Sequence, residues 1–289
     1  MEKTVGIAGL GIMGGAIAAN LLDRGWSVVG YDVEPERLKD VAKAGLVPAR
    51  DIGDLACTAP ILLTSLPNPD AARQVIAEIA ASGAPARIVV ETSTLAISDK
   101  LALKALLDPA GHIALDCPLS GTGAQAKLRD LVVYASGNTE AIARCQPLFA
   151  DFAKQSADLG VYGNGSRMKF VANLLVAIHN VAAAEAMLVA ERAGLDPALV
   201  IEMIGPGAGG SRMFQMRAPM MAEGVYEPAT MRLAMWKKDM DIIGAFADDL
   251  HCPTPLFTRT KPIYTEALSM GLGDKDTAAV FEVLKHSGE

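Results

Sequence analysis

The chain has 289 residues, 51% of them hydrophobic, and a formal charge of −7. That length suits two domains and that apolar share fills a large core, which excludes a disordered chain. Acids and bases are interspersed, which excludes a nucleic-acid or anionic-membrane surface and leaves room for a local pocket that takes a small anion. The cysteines Cys57, Cys117, Cys145 and Cys252 lie far apart and match no metal spacing. With the histidines equally scattered, free thiols in a reducing, cytoplasmic compartment and no bound metal are expected. The first strand is expected by Thr4, which leaves no room for a signal or transit peptide ahead of it.

Residues 4–8, TVGIA, read as a short buried strand. GLGIMGG follows, then a helical pattern from about Met13 to Asp23, then a second strand, SVVGYD, that ends on Asp32. Gly9, Gly11 and Gly14 therefore form G-x-G-x-x-G between a strand and a helix, with Leu10, Ile12 and Met13 inside the motif. Each glycine has a mechanical reason. Gly9 permits the tight turn, Gly11 lets a pyrophosphate approach the backbone, and Gly14 lets the helix pack against the strand. The helix N-terminus offers N–H groups to phosphates. Asp32 accepts from both ribose hydroxyls and repels a 2′-phosphate, so NAD is expected with NADP possible, Arg37 being the group that softens the preference.

Strands and helices go on alternating. Helices are expected at 35–45, 51–56, 70–82, 98–107 and 139–154, and strands at 61–66, 87–94, 112–119 and 131–136. This pattern predicts an α/β Rossmann-type doubly wound parallel sheet with helices on both faces. Ligands of such sheets lie beyond the carboxyl ends of the strands, which singles out Leu66–Asn68, Thr92–Thr94 and Pro118–Gly123. In the last of these, Ser120, Gly121 and Thr122 precede a further glycine, and a loop of small residues of that kind offers N–H groups and hydroxyls to an anion. An ordinary turn has the same composition.

After Asp158 the alternation stops and the period is helical. The boundary is drawn near Gly163, giving an NAD(P)-binding domain over 1–163 and an all-α domain over 164–289. Nothing between Ser166 and Ala193 breaks a helix, so one helix of about 28 residues, roughly 40 Å long, is expected to open the second domain and serve both. Lys169, Asn173 and Asn180 fall on one stripe of this otherwise apolar cylinder. A membrane span is disfavoured by its polar residues and by Glu191 and Arg192 directly after it. A buried core helix explains the alanines and leucines but not a lysine in its first turns, where the helix dipole disfavours a cation. A lysine there can give or take the proton that accompanies hydride transfer if burial lowers its pKa from about 10.4. Asn173, one turn on, adds a polar contact without a charge. His179 reads as a core or interface residue.

Four segments together make the chain resemble the β-hydroxyacid dehydrogenases, the group containing 3-hydroxyisobutyrate dehydrogenase and tartronate semialdehyde reductase, and more distantly 6-phosphogluconate dehydrogenase. GLGIMG (9–14) is similar to the family's cofactor motif and DCPLSGTGAQA (116–126) to its substrate-binding D-x-P-x-S-G-G. GSRMKFVAN (165–173) matches G-x-x-x-K-x-x-x-N, and WKKDMDI (236–242) matches a late lysine–aspartate motif. The resemblance spans nearly the whole chain. It implies that Lys169 is the catalytic acid/base and that Ser120, Gly121 and Asn173 hold a substrate carboxylate. It further implies that Leu66, Pro67 and Thr94 touch cofactor and that Lys238 reaches the active site. Without the resemblance Lys238 reads as part of a solvated lysine pair. The chain departs from the family where Thr122 replaces the second glycine of S-G-G, and where no aromatic residue precedes the late motif by several positions. Arg212, Met213 and Trp236 are expected to shape a different substrate end.

The function expected is hydride transfer between NAD(P) and a small anionic 3-hydroxy carboxylic acid, 3-hydroxyisobutyrate-like or tartronate semialdehyde-like. Rival readings are an imine reductase on the same fold and a cofactor-binding protein without chemistry. The apolar helical domain implies a homodimer or homotetramer formed through it.

Overall fold

The computed structural model describes residues 3–287. The chain divides into two compact units, Met1–Lys169 and Phe170–Glu289. The first alternates β1 (Thr4–Ala8), α1 (Ile12–Asp23), β2 (Ser27–Tyr31), α2 (Pro35–Ala42), β3 (Val47–Pro48), α3 (Ile52–Thr58), β4 (Ile61–Thr64), α4 (Pro69–Ala81), β5 (Ile88–Glu91), α5 (Ile97–Leu107) and β6 (Ile113–Asp116). There follow β7 (Leu119–Ser120), α6 (Gly123–Lys127), β8 (Val132–Gly137), α7 (Thr139–Phe152) and β9 (Gln155–Asp158). The sheet order is β3-β2-β1-β4-β5-β6-β8-β7, with β9 on β8. From β3 to β6 every pairing is parallel.

The strands are near-continuous apolar runs because both faces are covered. Alternate residues point to opposite cores. Val5, Ile7, Ile61, Leu63, Ile88 and Val90 enter one core with α1 and α7 residues such as Ile17, Leu21 and Phe149. Ala8, Leu62 and Val89 enter the other with Leu55, Ile76 and Leu103. A doubly wound sheet is thus the observed architecture. It departs from the all-parallel expectation at one edge, where β8 runs antiparallel to both β6 and β7 while β9 is parallel to β8. Residues 128–131 turn the chain back after α6, and Arg129 takes the left-handed conformation there, φ 59°. The very short strands β3 and β7 and the polar β9 carry too little apolar alternation for a periodicity argument to find them.

A single helix, α8 (Asn164–Arg192), carries the chain from the first unit to the second. By length and composition alone it resembles a membrane span. Its polar stripe is buried in the protein instead, with Lys169 at 8%, Asn173 at 4% and Asn180 at 0% exposure. The second unit continues with α9 (Pro197–Ile204), α10 (Arg212–Glu223), α11 (Leu233–Asp249), α12 (Pro255–Ser269) and α13 (Val280–His286). Phe170 meets Phe246 edge-on, ring centres 5.1 Å apart. The Asn180 amide donates to Tyr264 Oη at 3.0 Å and to the Thr277 carbonyl at 2.9 Å.

Asp276 is the polar centre of this unit. Its carboxylate accepts from the backbone N–H groups of Thr230, Met231 and Ala278 and pairs with the buried Arg217 guanidinium at 3.0 Å. Breaking a buried ion pair leaves a charge without its partner and costs about 3–5 kcal/mol. Asp276→Ala is therefore expected to lower the thermal midpoint by roughly 5–8 °C, read by calorimetry. An unchanged midpoint would contradict this account of the helical core.

Candidate active site

The glycine-rich turn lies where β1 enters α1. Gly9 has φ 91°, in the left-handed region, and a Cβ on it would stand 2.2 Å from the Ser65 carbonyl oxygen. A Cβ on Gly14 would stand 1.9 Å from the Gly9 carbonyl oxygen, so only glycine lets the helix start there. A Cβ on Gly11 would meet nothing within 4 Å. The first two glycines are thus required by the protein's own backbone, whereas the third faces open space, the space a pyrophosphate needs to come against the N–H groups of the turn. Asp32 follows the end of β2 and is buried. Its Oδ2 accepts from Leu10 N–H at 2.7 Å and its Oδ1 from Glu34 N–H at 2.9 Å. The acid therefore braces the glycine turn. Arg37, half exposed, stands 3.4 Å from both carboxylate oxygens. These residues fit a dinucleotide.

Two further strand-end turns belong to the same unit. Leu66 is half-buried and Pro67 exposed, and Leu66 N–H donates to Ser93 Oγ at 2.8 Å. Asn68 then caps α4 by accepting from Ala71 N–H. Thr94 is half-buried in the turn after β5. The Pro118–Gly123 loop packs against the start of α1. A Cβ on Gly123 would stand 2.3 Å from Ile12 Cγ2, and Asn20 Nδ2 donates to the Ala126 carbonyl at 2.7 Å. Ser120 ends β7, and Gly121 has φ 134° with Leu131 pressed where a Cβ would go. Thr122 caps α6 in a capping box: its Oγ1 accepts from Gln125 N–H while its own N–H donates to Gln125 Oε1. The hydroxyl that stands in place of the family's glycine is thus engaged in holding its own helix.

Lys169 lies in the second turn of α8, whose first turn is gripped by the sheet. Gly165 N–H donates to Ser136 Oγ at 2.9 Å and Ser166 N–H to Asp116 Oδ2 at 2.8 Å. A Cβ on Gly165 would stand 2.3 Å from the Tyr134 carbonyl oxygen and 2.6 Å from that of Asp116, so glycine is what permits this approach. Asp116 also pairs with Lys100, which pairs in turn with Glu91; all three are buried. Burial alone would lower the Lys100 pKa, but the Glu91 and Asp116 carboxylates together hold it above the ordinary lysine value. These acids and this lysine escaped the sequence reading of the site. Asp116 stood in a quoted motif without a role, and Lys100 looked like any lysine in the first half of an amphipathic helix.

In the second unit, Asn173 Nδ2 donates to Asp239 Oδ2 at 3.1 Å, and Lys238 Nζ lies 3.2 Å from Asp239 Oδ1. Lys238 is partly exposed and Asp239 is buried. Asn173 and Lys238 are therefore brought together through an aspartate that sequence reasoning left without a function, although the late motif pointed to it.

A glycine turn between β1 and α1 with an acid after β2 is the arrangement of a dinucleotide-binding domain. The model of the NAD-binding domain of 6-phosphogluconate dehydrogenase matches residues 4–163, and that of the NAD-binding domain of NADP-dependent 3-hydroxyisobutyrate dehydrogenase matches residues 163–284. An L-threonate dehydrogenase of Cupriavidus necator is 32% identical, over 98% of this chain and 96% of its own. A glyoxylate/succinic semialdehyde reductase of Arabidopsis thaliana is 27% identical, over 98% of this chain and 79% of its own. The crystal structure of a 3-hydroxyisobutyrate dehydrogenase from Salmonella typhimurium superposes with a TM-score of 0.88 at 30% identity, covering 97% of this chain and 99% of that one. The chain belongs to the β-hydroxyacid dehydrogenase family and is an NAD(P)-dependent enzyme of it.

The two kinds of glycine predict different failures. Gly11→Ala is expected to keep the native thermal midpoint while crowding the ligand by about 1–3 kcal/mol, roughly a 10- to 100-fold weaker Kd for NADH. Gly14→Ala is expected to lower the midpoint itself. Fluorescence titration with NADH beside thermal melting checks both, and native NADH affinity in Gly11→Ala would contradict the assignment of that space.

Proposed function

We propose that the enzyme transfers hydride between NAD(P) and a small 3-hydroxy carboxylic acid, with Lys169 giving or taking the hydroxyl proton. The observation that carries this reading is the burial of Lys169 on a helix whose preceding turn is hydrogen-bonded to the sheet. Such an ammonium has its direction restricted and its solvation reduced, and both suit a group that must meet one oxygen. When bound, NAD(P) supplies the hydride acceptor or donor, and the glycine turn, Asp32, Leu66, Pro67 and Thr94 are the residues that would hold it. Lys169 takes the proton as an alcohol is oxidised and returns it as a carbonyl is reduced. Ser120 and Gly121 are read as holders of the substrate carboxylate in the first unit, and the capping role of Thr122 limits what its hydroxyl offers. In the second unit Asn173 and Lys238 carry the roles the family implies, with Asp239 fixing the Asn173 amide so that its oxygen points away from the carboxylate. Asp32 supports a preference for NAD over NADP, and its neighbour Arg37 tempers it. The boundary of the cofactor domain is placed at Gly163, the last residue before α8, and a cytoplasmic location is retained as our reading.

A homo-oligomer formed through the helical unit is part of this proposal. Val189, Leu195, Leu199 and Met203 are more than half exposed, between 52% and 69%. Val189 and Leu195 line a groove of about 500 Å³ together with Glu185, Ala186, Val200 and Ile204 among others. Exposed apolar side chains of this kind on two successive helices and the turn between them suit burial against a second copy of the same surface.

Lys169→Ala is expected to lose several orders of magnitude in turnover on 3-hydroxy acids while its Kd for NADH stays native; initial rates with NAD and with NADP over a panel of such acids give the turnover and the coenzyme preference, and fluorescence titration gives the Kd. Near-native turnover in that variant would overturn the role of Lys169. Sedimentation velocity is expected to show a dimer or tetramer that Leu199→Glu with Met203→Glu dissociates, and a native monomer would remove the oligomer from the proposal.

A further inference from the structure

Thr64, Glu91 and Asp116 are the last residues of β4, β5 and β6, and the strands pair them in register, Thr64 with Glu91 and Glu91 with Asp116. Two carboxylates thus stand on neighbouring strands in the sheet interior, a costly arrangement unless a cation lies between them. Lys100 of α5, fully buried, supplies it by pairing with Glu91 Oε2 and, at 3.0 Å, with Asp116 Oδ1. The main-chain carbonyl of Lys100 is itself held, accepting from Tyr162 Oη–H at 3.0 Å.

Bonds continue outward from both acids. Glu91 Oε1 accepts from Ser93 N–H at 2.8 Å, and Ser93 Oγ accepts from Leu66 N–H at 2.8 Å. Asp116 Oδ1 accepts from Ser166 Oγ–H at 2.8 Å and its Oδ2 from Ser166 N–H at 2.8 Å. Ser136 locks the same junction, donating to the Asp116 carbonyl at 3.1 Å and accepting from Gly165 N–H. One end of this chain is the strand-end turn read as touching cofactor; the other is the first turn of the helix that carries Lys169, three residues beyond Ser166.

We propose that Glu91, Lys100, Asp116 and Ser166 are positioning residues for the dehydrogenase reaction, tying the cofactor-contacting turn at Leu66 and the helix turn before Lys169 to one rigid buried frame. The inference rests on the reading of Lys169 as the acid/base. A helix held only by apolar packing can rotate or slide by a fraction of a turn. Side-chain bonds to two of its N-terminal N–H groups from two strands remove that freedom, and a carboxylate at this end is also where the helix dipole favours one. Fixing Ser166 fixes the direction in which Lys169 leaves the same helix.

The test compares Asp116→Asn, Ser166→Ala, Lys169→Ala and the double variant Asp116→Asn with Lys169→Ala, all in the full-length enzyme. Asp116→Asn keeps an acceptor and a similar volume but breaks the ion pair; a displacement near 1 Å at the reacting group predicts a kcat about 100-fold down, with KM and the Kd for NADH within about threefold of native. Ser166→Ala, which leaves no charge without a partner, is expected to lower kcat about tenfold. Because the effect runs through Lys169, adding Asp116→Asn to Lys169→Ala is expected to cost less than about threefold more. A purely structural role would lower the melting midpoint and leave kcat per folded molecule unchanged. If Lys169→Ala is inactive while Asp116→Asn and Ser166→Ala, folded by circular dichroism, keep native kcat, the positioning proposal is overturned and the acid/base reading stands. Should Asp116→Asn fail to fold, Ser166→Ala decides. If Lys169→Ala keeps native turnover, the acid/base reading falls and this proposal with it.

Discussion

The carboxylate of Asp116 sits at the joint on which this enzyme's organisation depends. It closes the last of the in-register parallel strands, and it receives the N-terminal N–H and hydroxyl of Ser166 from the long helix. A charge taken so completely out of water is destabilising by itself. The Lys100 ammonium and the donors of Ser166 make it tenable, and the outcome is a sheet and a helix held in one arrangement. Glu91 extends the same logic one strand further, to the turn after β4. Packing alone gives the two apolar cores their stability; the polar seam at the strand ends gives direction.

A second economy concerns the cofactor end. Asp32 has an evident reason to stand after β2, since a ribose is expected there. It also accepts from Leu10 N–H, so the acid proposed to meet the sugar is one of the groups that shapes the glycine turn. Changing Asp32 to alter coenzyme preference therefore also loosens the turn, and changing Arg37 removes the cation 3.4 Å from the Asp32 carboxylate.

Much of the fold could be read from the chain because its causes are local. Glycines at a strand-to-helix turn and apolar runs separated by amphipathic helices each leave a mark within a few residues. The stripe of Lys169, Asn173 and Asn180 was legible for the same reason, since helical period alone puts the three on one side, and Asn180 proves to be tied to Tyr264 and Thr277 in the helical core. What escaped depends on register between distant segments. The antiparallel course of β8, the polar strand β9 and the contact of Asp239 with Asn173 have no local signature, whereas the Thr122–Gln125 capping box is a local signal that the sequence reading passed over. Lys100 is the plainest case: on its own helix it is an ordinary lysine, and only the alignment of β5 with β6 makes it the cation between two acids.

The claim on which the functional account turns is that one buried ammonium exchanges the proton of the hydroxyl under oxidation. Chemical rescue tests it most directly: turnover of the Lys169→Ala enzyme with NAD and its preferred hydroxy acid, in the presence of small primary amines of graded basicity. The account predicts a rate that is very low without amine, rises with amine concentration and tracks the amine pKa. Native-level turnover with no amine added would contradict it.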